Sequence, residues 1–408
     1  MQTQLIVDDS TALLEPPLTT SDRDTAAGLA PIHVSLTEVD DLEEAGRLWS
    51  YLQVRSRYSF FTSWGWIGCW LSQLPVAIRP QLLIAQNRSG IVGLGFVNRK
   101  RVWRGKITSL RALFLHETGD CVRDSLTIEH NGFLVERGLE EAVQRAMIDF
   151  LCSECPDWDE LYLSGVDAGS PLARVMQEER PGCRFLVDKQ RPCYMVDLAA
   201  LRKSGQDFLS TLGSSTRANV RKAIRLYEER GPLTTVAPRD VGEALCFYEE
   251  LKVLHSATWK ARGESGAFSG DWLDGFHRRL IETCFPRGEI QLLQIRAGEQ
   301  LIGALYNFAL DGHVAFYQSG FLYEENPKLK PGLVCHTLAI EFNRELGSTT
   351  YDFLAGDSQY KRSLGQEMEP QIWGVLQRQR LRFRIEELLR STRIRVGALL
   401  CRNEPAPS

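Results

Sequence analysis

Four stretches of the chain carry side chains that could do chemistry. In HSATWKARG (255–263), His255 and Trp259 stand four apart, on one face of a helix, with Lys260, Arg262 and Gly263 following. An imidazole titrating near neutrality suits proton transfer, and an indole beside it can wall a cleft against water. The same pair also describes a core tryptophan beside a histidine that only hydrogen-bonds. In TYDFLAGDSQYK (350–361), Gly356, Asp357, Tyr360 and Lys361 follow a strand pattern, and strand ends in α/β sheets feed the cleft. Asp357 could orient a base or an ammonium, and Tyr360 or Lys361 could meet a thiolate or a phosphate; an ordinary capped polar loop has the same composition. In PKLKPGLVCHTLAIEF (327–342), Lys330, Pro331, Gly332 and Leu333 stand at the mouth of an apolar-periodic helix, with Lys328 nearby. Free N–H groups and the positive dipole end there suit a pyrophosphate, although a Pro-Gly turn before a core helix reads identically. Arg217, Arg221 and Arg225 recur at steps of four within SSTRANVRKAIRLYEERG (214–231). That stripe could clamp an anion, and a solvated basic face is its commoner origin.

A chain of 408 residues suits two domains of ordinary size. Its balance of 43% hydrophobic and 25% charged residues is that of a folding globular protein. A net charge of −4 gives no overall pull toward nucleic acid or anionic lipid, so any basic site is local. Residues 1–30 read as a polar tail without the basic start and apolar run of a leader, and the protein is expected in the cytoplasm. Tyr58 to Ile78, uncharged but rich in Ser, Thr and Gln, reads as a buried helix region. Ten cysteines lack a second pair at zinc-ligand spacing, and no metal is expected.

The chain repeats itself. Gln81, Leu82, Leu83 and Gly93 recur without a gap as Gln291, Leu292, Leu293 and Gly303, and ELYLSG (160–165) is echoed by YDFLAG (351–356). Each half reads as two helices, a strand pair with a polar turn, a longer strand, a helix and a further strand. Two mixed α/β domains in tandem are expected, over residues 31–200 and 201–379, with the linker between Val196 and Gln206.

The order of FFTSWGWIGCW, LLIAQNRSGIVGLGF, HSATWKARG, AFYQSGF, PGLVCHTLAIEF and YDFLAGDSQYK resembles the CelD-like and FemAB-like branch of the GNAT-superfamily acyltransferases, over roughly residues 32 to 385. The resemblance implies a tandem pair of GNAT-like domains, each a mixed, mostly antiparallel sheet flanked by helices, with the active cleft in the second. It implies acyl transfer from acyl-CoA or acetyl-CoA as co-substrate to an amine. His255 would then take the amine's proton, Tyr317 on the AFYQSGF strand would protonate the departing thiolate, and Asp357 would assist. Coenzyme A would dock at Lys330, Pro331, Gly332 and Leu333, with Arg217 and Arg221 beside it, although the usual glycine-rich phosphate loop is reduced to Gly332. Trp259, Arg262, Tyr360 and Lys361 would contact substrate, while His277 and His336 read as structural.

RLRFRIEELLRSTRIRVGALLCR (380–402) is basic and partly amphipathic, with Leu381, Ile385, Leu388 and Leu389 against Arg382, Arg390 and Arg393. Such a helix can lie on an anionic membrane surface, or pack against the second domain. The expected acceptor is an amine of a cell-envelope component, either a polysaccharide amino sugar or a lipid amine such as a sphingoid base, bacterial ceramide synthases being similar to this branch. An aminoacyl-tRNA-dependent transferase would be expected to carry a long helical hairpin insertion, which the sequence does not display; otherwise no nucleic-acid partner is expected. A non-catalytic scaffold in polysaccharide assembly is the third reading. Neither a strained Gly-x-Ser-x-Gly elbow, nor a Walker loop, nor a dinucleotide fingerprint occurs, so hydrolase, nucleotidase and dehydrogenase readings have no anchor.

Overall fold

Each half of the chain opens with a short strand and two helices. In the first these are β1 (His33–Glu38), α1 (Leu42–Gln53) and α2 (Trp64–Gln73), followed by the hairpin β2 (Gln81–Asn87) and β3 (Gly90–Arg104), then β4 (Thr108–Leu115) and a two-residue β5 (Leu134–Val135). Next come α3 (Glu140–Ser153), β6 (Glu160–Asp167), α4 (Pro171–Gln177) and β7 (Cys183–Asp197). Three connecting helices, α5 (Leu198–Ser204), α6 (Phe208–Thr211) and α7 (Ser214–Glu228), lead to the second half. There the order recurs as β8 (Leu233–Val236), α8 (Val241–Ala261), α9 (Asp271–Cys284), β9 (Ile290–Ala297), β10 (Gln300–Leu310) and β11 (His313–Phe321). It continues with α10 (Pro331–Glu345), β12 (Thr350–Ala355), α11 (Gln359–Leu364) and β13 (Gln366–Arg378). This computed structural model describes residues 31–104 and 108–383, apart from Arg262, Glu264, Ser265, Ala267 and Ser269. Arg262 and residues 384–402 of the basic C-terminal stretch therefore lie outside the described residues. Among the described residues, no helix is long and apolar enough to cross a membrane.

The strands form one sheet in the order β1-β2-β3-β4-β6-β13-β7-β12-β11-β10-β9-β8, with β5 pairing on β3. Pairing is antiparallel except for β4 with β6 and β11 with β12. The fold is thus mixed α/β, with the same strand order in both halves. The sequence repeat has a packing cause. A Cβ on Gly93 would lie 2.5 Å from Val143 of α3, and one on Gly303 would lie 2.6 Å from Sγ of Cys335 in α10. At both places a helix rides directly on the backbone of the second hairpin strand, which only glycine permits.

The long last strand of each half crosses to the other: β7 pairs with β12, β13 pairs with β6, and β7 and β13 pair with each other at the centre. Both are interrupted by proline. Gly356 N–H donates to the Pro192 carbonyl and Ala168 N–H to the Pro370 carbonyl, each at 2.9 Å. Register does the rest: Asp167, the last residue of β6, is carried by Gln371 opposite Arg191, and Ala355, the last of β12, faces Cys193. The carboxyl ends of β6 and β12 therefore approach the middle of the sheet from opposite directions. Aromatic packing also joins the halves, with Phe60 stacked on Phe308 at 4.3 Å and Trp66 edge-on to Phe276 at 5.0 Å.

Beyond their short parallel pairing, β4 and β6 part, and residues 116–131 fill the gap. Asn131 N–H donates to Gly165 O at 2.9 Å, Ser164 Oγ donates to Glu117 Oε2 at 2.6 Å, and His116 Nδ1 lies 2.9 Å from Asn131 Oδ1. Gly165 has φ +64°, and a Cβ there would stand 2.4 Å from the Ile128 carbonyl oxygen. In urea unfolding, Gly165→Ala is expected to lose about 1–2 kcal/mol to left-handed strain and a further 1–3 kcal/mol, roughly, to overpacking. Gly182→Ala, at φ +74° with nothing within 4 Å, should show the first loss only. Equal losses in the two variants would show that this segment does not press on β6.

Candidate functional site

In the second half the equivalent gap stays open. β11 and β12 pair from His313–Thr350 to Ala315–Asp352 and then separate, and a cavity of about 480 Å³ lies between them. Both strands are irregular there. The β10–β11 ladder shifts register between Tyr306 and Asn307, whose partners are Gln318 and Phe316, so Tyr317 is the extra residue of a bulge. As a result four consecutive residues, Phe316 to Ser319, line the cavity. In β12, Leu354 adopts φ +60°, with its N–H held by Asp352 Oδ1 at 2.7 Å. A leucine in the left-handed region is strained, and the buried carboxylate holds it there.

Helix α10 closes one end. Lys330, its N-cap, has φ +45°, and no side chain caps the helix. Lys330, Gly332, Leu333 and His336 face the cavity, whereas Pro331 is buried without lining it. The uncapped N–H groups and the adjacent ammonium make this end electropositive. Opposite in character is the aromatic wall. His336 stacks on Tyr360 at 5.1 Å and meets Phe316 edge-on at 4.5 Å, and burial with the nearby Lys361 charge lowers its pKa to about 3, leaving it neutral.

His255, on α8, is 3% exposed. Its Nδ1 lies 2.8 Å from Ser319 O; a carbonyl only accepts, so Nδ1 carries the proton and Nε2 is the basic nitrogen. Burial pulls its pKa below the usual value against that hydrogen bond. Trp259 and Thr258 line the cavity beside it. The Tyr317 ring also lines the cavity, but its hydroxyl donates to Leu126 O at 2.8 Å, and burial raises its pKa far above the ordinary phenol range. Lys361 donates to the carbonyls of Leu354 and Ala355 at 3.1 and 2.8 Å, fixing the end of β12, and burial lowers its pKa.

Of the residues singled out in the sequence, the cavity gathers His255, Trp259, Tyr317, Lys330, Gly332, Leu333, Tyr360 and Lys361. Asp357 is not among its walls: it is exposed and paired with Arg362, with Tyr194 Oη 3.5 Å away. Arg217 and Arg221 do not line it either. Arg217 donates to Ser210 O at 3.1 Å, and Arg221 is exposed on the outer face of α7. His277 lies in the aromatic core, where burial lowers its pKa to about 3.

Two wall residues, Thr127 and Glu129, come from the first half. Glu129 Oε2 accepts from Ala355 N–H at 2.7 Å, and burial raises its pKa to about 7, against the Ala355 hydrogen bond and the charges of His130 and Lys361. Next to it, His130 reaches Asp167 of β6 through Nδ1 at 2.8 Å and Asp352 of β12 through Nε2 at 3.0 Å. His313 Nε2 also approaches Asp352 Oδ2, at 3.2 Å. Despite burial, the two carboxylates hold His130 well above the usual histidine pKa, and the two imidazoles hold Asp352 well below the usual carboxylate range. The available signal was Glu129-His130-Asn131, three reactive residues in succession ahead of a glycine. Confining the site to the second half hid it.

Residues 214–362 match the acetyltransferase (GNAT) domain family. Among solved structures, the crystal structure of FemX has a TM-score of 0.54 at 11% identity, over 84% of this chain and 96% of that one. Lower likenesses are L-PGS from Bacillus licheniformis, at TM-score 0.46 and 10% identity over 84% and 96%, and a tandem GNAT protein from the clavulanic acid biosynthesis pathway, at 0.39 and 10% over 84% and 98%. No curated protein sequence matches. Residues 214–362 are thus similar to the GNAT acetyltransferase domain, and the fold of the chain is similar to that of FemX.

The His130 bridge sets a pH dependence. Its raised folded pKa means a stability contribution fully present below the unfolded value near 6.5 and lost as pH rises through the folded value. Asp352, depressed, contributes above about pH 4 and loses its share only as pH falls through its folded value. Replacing His130 with Gln leaves Asp352 short of its counter-charge and is expected to cost about 3–5 kcal/mol near pH 6. The difference between wild type and variant should shrink at alkaline pH. A difference that grows with pH would contradict a protonated His130.

Proposed function

We propose that this GNAT-type chain is an N-acyltransferase, moving an acyl group from a coenzyme A thioester to an amine of a cell-envelope component, an amino sugar of a polysaccharide or a lipid amine such as a sphingoid base. The observation that carries the reading is the cavity opened where β11 leaves β12, closed at one end by the uncapped start of α10. The pyrophosphate would sit on the N–H groups after Lys330, with the Lys330 ammonium beside it. The thioester and acyl chain would lie along Phe316 to Ser319, and aromatic walls at Trp259, Phe353 and Tyr360 would exclude water. His255, fixed as the Nδ1–H tautomer by Ser319 O, stands in the cavity wall and would flank the incoming amine. Tyr317 and Lys361 hold the walls through the Leu126, Leu354 and Ala355 carbonyls. Asp357 and the Arg217–Arg221 stripe have no role at the reacting atoms in this reading.

Aminoacyl transfer from tRNA is the competing chemistry. The helices α8 and α9 correspond in order to α1 and α2 of the first half, so among the described residues they are part of the repeated fold and not an added hairpin. Cytoplasmic action, at the membrane face if the acceptor is a lipid amine, is consistent with the reading.

Free-thiol release should be measured with acyl-CoAs from short to long and with amines including glucosamine and sphinganine. Chain-length-dependent release that requires the amine is expected. Silence across the panel would overturn the reading and favour tRNA-dependent transfer or a scaffold. Gly332→Asp is expected to raise KM for acyl-CoA about tenfold, the effect of about 1.4 kcal/mol, without loss of stability. An acidic group in the first helical turn favours the helix, and a Cβ at this position meets nothing closer than 3.4 Å. An unchanged KM would place the pyrophosphate elsewhere.

A further inference from the structure

We infer that Glu129, supplied by the first half of the chain, is the group that takes the proton from the acceptor amine, so that one active centre is built from both halves. The inference rests on the acyl-transfer reading and adds a residue, and a role for the first half, that the match over residues 214–362 does not reach.

The placement of Glu129 is over-determined. Its neighbours Thr127 and His130 both have positive φ, +51° and +45°, conformations that β-branched and bulky residues hold only when the surroundings enforce them. Four ties enforce them: Leu126 O accepts from Tyr317, Asn131 N–H donates to Gly165 O, His130 bridges Asp167 and Asp352, and Glu129 Oε2 accepts from Ala355 N–H. The carboxylate is thereby carried into the wall of a cleft that belongs to the other half. Among the described residues lining the cavity it is the one acid.

Its surroundings suit the task. Lys361 of α11, Asp352 of β12, His130 of the same loop, Tyr317 of β11 and Cys193 of β7 are the titratable groups that face it. Against the two cations, burial still leaves Glu129 titrating at about 7, whereas burial takes His255 below its usual value. At neutral pH Glu129 is then the stronger base of the two and can still be ionised. An amine reaches the protein mostly as an ammonium ion, and Glu129 is the one carboxylate that the described cavity wall presents to it. In the reaction the ammonium first gives one proton to Glu129; the freed nitrogen lone pair forms the bond to the thioester carbonyl carbon and the carbon–sulfur bond breaks. The second nitrogen proton, released as the amide forms, goes to the departing thiolate, and Glu129 returns to the carboxylate by losing its proton to water.

Glu129→Gln tests this, because glutamine can keep the hydrogen bond from Ala355. With wild type active in the thiol-release assay, the variant is expected to lose roughly 100-fold or more in kcat at unchanged KM for acyl-CoA. It should also lose the rise in rate through about pH 7. Glu129→Asp should retain a rise with pH at reduced rate. A Glu129→Gln enzyme with wild-type kcat and pH profile would overturn the assignment while leaving acyl transfer intact; a wild type silent with every donor and amine would instead overturn the acyl-transfer reading itself. A readout free of turnover comes from glutamate labelled with ¹³C at the carboxyl. The resonance missing in Glu129→Gln should titrate near 7, and titration near the ordinary 4.5 would overturn the proposal.

Discussion

Asp352 is fully buried, and a buried carboxylate without a counter-charge would cost several kcal/mol. The chain meets that constraint by bringing His130 from the first half and His313 from β11 onto one carboxylate oxygen, while the other oxygen takes Leu354 N–H. Much of the site's geometry depends on this arrangement. It fixes the left-handed kink at Leu354, which turns the end of β12 away from β11. It also anchors His130, hence the loop that carries Glu129. The second carboxylate on His130, Asp167, ends β6. A single imidazolium therefore ties together the carboxyl ends of the two strands at which the halves diverge.

The exchange of last strands makes that tie possible. Had β7 stayed beside β6, and β13 beside β12, the two clefts would have been free to lie apart. Crossing them instead aligns β6 and β12 through the β7–β13 pair and brings their ends together near Pro192 and Pro370. A proline cannot donate to a ladder, so each leaves its strand open at the point where the neighbouring strand ends. The Gly356 and Ala168 amides use the two proline carbonyls in the same way. The aromatic contacts of Phe60, Trp66, Phe276 and Phe308 bury the remaining face between the halves, at roughly 1.5–3 kcal/mol for each fully buried ring.

Much of this was legible in the residues. The recurrence of Gly93 as Gly303 reported a real packing constraint, a helix riding on a strand. Periodicity and turn residues gave the middle of each half, from its two helices to β6 or β12, but missed the opening strands β1 and β8 and the closing helix and long strand, α4–β7 and α11–β13. The His255–Trp259 spacing and the Pro331–Gly332 helix opening led to the cavity because both signals are local: four residues on one helical face, and one helix end. What could not be read was long-range. Asp357 sits two residues beyond β12, and the turn at Gly356 sends it outward to Arg362 instead of inward. Glu129 looks like a loop residue until the strand exchange, β13 on β6 and β7 on β12, brings the ends of β6 and β12 toward one another, pairings that no local pattern encodes. Arg217 and Arg221 show the same limit from the other side, since a stripe at steps of four identifies a helix face but not what lies opposite.

The two clefts of a duplicated fold need not do the same work. Because their open ends meet, the material that fills one becomes a wall of the other. Residues 116–131 occupy the first cleft with His116, Glu117 and Asn131, and in leaving it they present Thr127 and Glu129 to the second. Filling the first gap thus supplies the second with a face that its own half lacks. Strain at Thr127 and His130 is tolerable because the segment is held from both sides, by β6 through Gly165 and Asp167 and by the second half through Asp352, Tyr317 and Ala355. An isolated second half would lack both that acid and His130, one of the two imidazoles that face Asp352. Symmetry in the backbone and asymmetry in the clefts are consequences of one arrangement.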